Sequence, residues 1–185
     1  MKIDHDEVMR RVKEDPASAE RGCGGVFTAV CTRGNRKLLV RLLDAGIRVP
    51  PVVTGCQGYL LENLELLRIL LANGMSPDLS NWQEQTLLHG LCRGGKRGQV
   101  GEALARAAIL LDAGASISAR EEEYRSTPLA WAARTNMPDM VEFLLARGAP
   151  TTLPDDEPWA TPLAWAQRRG HAEVGEILLK HGATR

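Results

Sequence analysis

The chain has no excess of charge of either sign: 23 Lys and Arg stand against 23 Asp and Glu, with pI near 6.9. Without a basic field to gather phosphates or lipid headgroups, nucleic acid and membrane surfaces are poor candidate partners. No apolar run approaches the ~20 residues a spanning helix needs. Met1-Lys2-Ile3-Asp4-His5-Asp6 places acidic residues where a secretory leader requires an apolar stretch. The expectation from these absences is a soluble, cytoplasmic protein. Four cysteines, Cys23, Cys31, Cys56 and Cys92, lack paired short spacings, which argues against a disulfide framework or a zinc ribbon and for reduced thiols. At 185 residues the length suits one domain with an ordinary core.

What is present is repetition. Ser126-Thr127-Pro128-Leu129-Ala130-Trp131-Ala132 is nearly copied as Ala160-Thr161-Pro162-Leu163-Ala164-Trp165-Ala166, and each copy is followed by Leu-Leu-x-x-Gly-Ala ending on Ala149 and Ala183. From Thr127 to Thr161 and from Gly148 to Gly182 the step is 34 residues. A period near ~33 with a Thr-Pro-Leu start signals stacked helix pairs. Proline suits the first helical turn, where its missing N–H costs nothing, and threonine before it can cap. Ala132, Ala133 and Ala166 allow close helix approach, whereas Met140, Val141, Phe143, Leu144 and Leu145 repeat at helical spacing. Glycine after Leu-Leu-x-x ends the second helix in a left-handed conformation, which predicts helix ends at Gly46, Gly74, Gly114, Gly148 and Gly182.

These motifs resemble the ankyrin-repeat family, whose first helix opens Thr-Pro-Leu-His-x-Ala. The resemblance implies an all-α repeat solenoid of ankyrin-type stacked helix pairs with short β-hairpin-like fingers. Residues 1–185 then form a single array: an N-terminal helical cap over 1–22 and repeats over 23–52, 53–80, 81–121, 122–155 and 156–185. The first two are degenerate, with Pro50-Pro51 interrupting a shortened connection where the finger is expected to be missing. The third, from Thr86 to Gly114, is seven residues longer than its neighbours. The extra residues fall around Arg93-Gly94-Gly95-Lys96-Arg97-Gly98-Gln99-Val100-Gly101 and predict an enlarged loop between helices. Residues 4–14, with Val8 and Val12 on one face, read as a short helix ending at Asp15-Pro16.

No constellation argues for catalysis. His89 takes the histidine position of the family motif, where it ties the loop together by hydrogen bonds. Cys56 aligns with His89 one repeat earlier, and Cys31 and Cys92 align with the small residue Ala133. Equivalent positions in successive repeats lie a helix spacing of ~8 to 10 Å apart, too far for common zinc ligation at ~2.3 Å. The basic glycine-rich loop lacks the Gly-x-x-x-x-Gly-Lys-Ser/Thr spacing of a phosphate loop. Glu121-Glu122-Glu123 and Asp155-Asp156-Glu157 precede helix starts, where acidic residues favour the helix dipole. No enzyme activity, cofactor or metal is expected.

The resemblance implies partner binding on a concave face built from the fingers and the ends of the first helices. Carried onto this chain, that gives Trp82, Gln83, Gln85, Glu123, Tyr124, Ser126 and Glu157 on the fingers, with Pro158 and Ala160. The helix ends contribute Arg93, Arg134, Thr135, Arg168 and Arg169, with Thr32 and Arg33. Two readings stand for the arginine row: a basic inner wall for an acidic partner, or cations placed to suit helix C-termini. If the first holds, charge reversal at Arg134 and Arg168 weakens binding of an acidic partner by more than about tenfold and leaves melting intact. Trp82 is either an exposed anchor or packed on a neighbouring finger, whereas Trp131 and Trp165 are expected to stack inside. The expected role is a monomeric, non-enzymatic scaffold, adaptor or inhibitor for another protein. The alternative is a small-molecule or phosphate sensor, or an enzyme, that uses the loop 93–101.

Overall fold

In the computed structural model residues 4–16, 25–53, 57–94 and 100–184 are described. Cys23, Cys56 and the loop residues Gly95 to Gln99 lie outside them. Every described element is a helix, so the chain is an all-α repeat protein. The polypeptide divides into two compact units, Met1–Asn81 and Trp82–Arg185.

In the first unit α1 (His5–Glu14) begins where the Asp4 carboxylate accepts from the backbone N–H groups of Asp6 and Glu7 at 3.0 and 3.2 Å. Its buried residues are Met9 and Val12, and it rests on α3 (Arg36–Asp44). Arg41 reaches Asp6 at 2.7 Å. Arg10 and Arg11 hold the Glu7 carboxyl down at about 2. α2 (Val26–Thr32) buries Phe27, Val30 and Cys31, and α3 buries Leu38, Leu39 and Leu42 behind an Asn35 cap. α4 (Gln57–Glu62) pairs with α5 (Leu64–Ala72), which Asn63 caps and which buries Leu66, Leu67 and Leu70. The shortened connection runs as irregular chain over 47–53 and is pinned by Ser76 N–H donating to Pro51 O at 2.8 Å.

The second unit holds three helix pairs: α6 (Leu87–Leu91) with α7 (Val100–Asp112), α8 (Pro128–Arg134) with α9 (Pro138–Ala146), and α10 (Pro162–Arg169) with α11 (Ala172–Lys180). First helices stack on first helices, α6 on α8 on α10, and second helices on second, α7 on α9 on α11. Pro128 and Pro162 stand in the first turn. The Thr127 and Thr161 hydroxyls accept from Ala130 and Ala164 N–H at 3.3 and 3.2 Å. Ala132, Ala133 and Ala166 are fully buried, because only a methyl fits where first helices approach this closely. Along α9, Met140, Val141 and Leu144 are buried, whereas Phe143 and Leu145 are half-exposed. Gly148 and Gly182 end their helices at φ +87 and +83, a region that a β-carbon disfavours.

Two sequence expectations change here. The enlarged loop is shorter than 93–101, because Val100 and Gly101 already belong to α7; Gly101 sits in an exposed first turn, where glycine is cheap to tolerate. The acidic triplet is also not a uniform dipole partner. Glu121 is 1% exposed. Its carboxylate accepts from Glu123, Tyr124 and Ser126 N–H at 2.8, 2.9 and 3.1 Å, folding the turn around itself. The acidic pair Asp155 and Asp156 meets Arg120 at 2.6 and 2.7 Å. That guanidinium lowers the Asp155 carboxyl below its usual range.

Candidate functional site

The connection into α6 fixes one wall of a cleft in the second unit. Thr86 caps α6, and His89 closes the cap from the other side. Thr86 N–H donates to His89 Nδ1 at 3.2 Å, so Nδ1 is the acceptor and Nε2 carries the proton. That Nε2–H donates to Ser126 O at 3.1 Å and ties the chain before α8 to α6. Gln83 and Glu122 continue the tie, with Glu122 N–H donating to Gln83 O at 3.0 Å. Gln83 Nε2 reaches the Glu123 carboxylate at 3.3 Å.

Aromatic side chains build the floor. Tyr124 meets Trp131 and Trp165 edge-to-face, with centroids 6.0 and 5.6 Å apart. Arg134 lies against all three rings, its Cζ 4.1 Å from the centroid of Tyr124, 4.9 Å from Trp131 and 4.8 Å from Trp165. Arg93 stands 5.7 Å over Trp131, and Arg168 stands 5.0 Å over Trp165. Cations over ring faces are attracted by the ring quadrupole, so the aromatics orient the guanidinium groups.

The resulting cleft is open, with a volume near 810 Å³. Of the residues named from sequence it brings together Gln83, Gln85, Arg93, Glu123, Tyr124, Arg134, Thr135 and Arg169. Trp82, Ser126, Glu157 and Arg168 are not part of it. Trp82 is 84% exposed, which rules out packing on a neighbouring connection. Glu157 and Arg168 are exposed as well. Ser126 must be corrected: it is buried, and its Oγ accepts from Trp165 Nε1–H at 3.1 Å, so it holds the aromatic floor and offers nothing to a partner. Arg134 must also be corrected, because its guanidinium is packed on three rings. Charge reversal there would disturb the fold as well as any binding. Thr135 lines the cleft, yet its hydroxyl donates to Cys92 O at 2.6 Å.

Trp131 and His171 line the cleft too, and sequence reasoning did not put them there. Trp131 was expected inside, and it is, at 6% exposure, but one side of it forms floor. His171 follows Gly170 and donates Nε2–H to Arg134 O at 3.2 Å. No sequence motif marks it. Trp159, 40% exposed and edge-on to Trp165, is a third residue without a sequence signal. Cys92 is buried, which pushes its thiol up and away from the reactive thiolate. Among the described residues no cluster of three His, Cys, Asp or Glu side chains could hold a metal ion. No described helix is long and apolar enough to cross a membrane.

Stacked helix pairs with threonine-capped first helices and glycine-ended second helices define an all-α repeat protein. The family profile for ankyrin repeats, in three copies, matches residues 56–155, and the chain belongs to the ankyrin-repeat family. Repeats of this family are generally protein–protein interaction modules and generally non-enzymatic. Comparison with curated proteins gives no match.

Proposed function

We propose that this chain is a non-enzymatic binding protein that docks a partner protein on the cleft of residues 82–185, acting as a scaffold, adaptor or inhibitor. The observation that carries the reading is the cleft itself: an open, polar surface where Arg93 and Arg134 rest on an ordered aromatic floor. Side chains already held in one geometry lose less entropy on association, so more of the contact energy appears as affinity. Arg93, Arg134 and Arg169 give the cleft a positive balance against Glu123, which favours an acidic partner surface. Exposed Trp82 and Trp159 add aromatic surface of the kind that anchors interfaces. The connections that lead into α6, α8 and α10 act as fingers in this reading, and the chain acts as a monomer built of five repeats behind an N-terminal cap.

The test is quantitative capture from the native lysate with wild type and with an Arg93→Glu, Arg169→Glu variant. Both side chains are exposed, so the variant is expected to keep its melting transition. Recovery of the partner should fall at least about tenfold, the scale on which reversed charges act at an interface. Equal recovery by both proteins would contradict docking in the cleft.

A further inference from the structure

One residue that lines the cleft, Trp131, carries a buried donor with no acceptor among the described residues. Trp131 and Trp165 occupy the same register position, four residues after the capping Thr127 and Thr161. Trp165 satisfies its indole with Ser126 Oγ, from the residue just before the preceding cap. For Trp131 the equivalent residue is Gln85, just before Thr86. Gln85 Oε1 accepts from Arg93 Nη1 at 3.2 Å instead. No described residue accepts from Trp131 Nε1, although that atom is buried. A buried N–H without a partner is costly and is uncommon in folded proteins. The atom is buried in the free protein, so a ligand oxygen placed there gains a hydrogen bond with little further desolvation on this side.

The surroundings select the acceptor. Arg93, Arg134 and Arg169 share the cleft with Trp131, and Glu123, the one carboxylate among the described lining residues, lies within reach of Gln83 Nε2. Cations beside an unused N–H favour an anionic oxygen over a neutral one. Of the anionic oxygens that arginine recognises, the carboxylate is the one that an unmodified protein segment carries. Arg93 is exposed and stands over the Trp131 ring, so its guanidinium is placed to meet an anion that approaches the indole. The cleft is open rather than enclosed, which suits a chain passing through it.

We infer that the cleft takes an extended acidic segment of the partner, with an aspartate or glutamate carboxylate accepting from Trp131 Nε1 and facing Arg93. This rests on the reading of the cleft as a protein-docking face and names the chemistry of what docks.

The experiment uses a phage-displayed library of random dodecapeptides selected against the full chain. The most enriched peptide is synthesised with its acidic residue and with the matching amide. Each is titrated into the 15N-labelled protein while the tryptophan indole resonances are followed, Trp131 being assigned by its loss in Trp131→Phe. The expected result is a shared Asp or Glu among enriched peptides, a downfield shift of the Trp131 indole proton, and at least about tenfold weaker binding of the amide peptide, as for loss of a charged hydrogen bond. Arg93→Gln, which leaves Trp131 in place, should weaken the acidic peptide selectively. Enriched peptides without an acidic residue that still need Arg169 overturn the carboxylate and leave the docking face standing. An acidic peptide that leaves the Trp131 resonance unmoved, or a selection that enriches nothing, overturns the inference in the same way. Peptides indifferent to the Arg93→Glu, Arg169→Glu variant bind elsewhere and overturn both readings.

Discussion

His89→Ala is expected to destabilise the unit 82–185 by about 3 to 5 kcal/mol, read from denaturant unfolding followed by tryptophan fluorescence. The imidazole is fully buried and serves two backbone groups at once. Its removal leaves Thr86 N–H without its Nδ1 acceptor and Ser126 O without its Nε2 donor. The orphaned Thr86 N–H costs ~1 to 3 kcal/mol, Ser126 O keeps only its longer bond from Glu121 N–H at 3.3 Å, and the lost ring leaves a cavity besides. The effect also spreads, because Ser126 supports Trp165 and the chain beside it supports Tyr124. Thr86→Ala provides the scale. It removes the hydroxyl of the same cap but keeps the tie to Ser126, and the typical loss of a cap is about 1 kcal/mol. Equal losses for the two variants would mean that the long-range hydrogen bond carries little of the stability.

Leu144→Ala is the second large effect, with an expected loss of about 2 to 5 kcal/mol in the same measurement. Leu144 is fully buried on α9, and α9 contacts α7, α8 and α11. A cavity there lies inside the middle helix pair, where neighbours on both sides hold the walls apart and relaxation is limited. A loss below about 1 kcal/mol would contradict the packing of α9 and would shift the register by which every other position is aligned.

The fold was legible where backbone geometry dictates residue type. Thr127-Pro128 and Thr161-Pro162 announce helix starts, and Gly148 and Gly182 announce ends, because few other residues serve there. His89 was legible through the family motif. The cleft was readable only as a set of positions. Arg134 sits at a helix C-terminus, where a cation is favourable on an exposed surface, and nothing in the local sequence says that Tyr124, ten residues earlier, folds over it. The three consecutive glutamates look alike in sequence. Glu121 alone is enclosed by the turn it organises, while Glu122 and Glu123 are exposed. Glu84 and Arg125 hold left-handed conformations at φ +59 and +50, two residues before Thr86 and Thr127. Neither is glycine, so no sequence signal marks those bends. The start of α7 at Val100 was missed because glycines on either side of a helix boundary look like loop.

A protein partner docked in the cleft of the second unit would shield the backbone that lines it. Hydrogen exchange of the chain with and without its captured partner tests this docking most directly. Slowed exchange is expected in residues 83–93, 122–135 and 168–171, with α9 and the exposed side of α11 unchanged. Protection confined to α9 and α11, with the cleft segments exchanging as in the free protein, would contradict docking in the cleft.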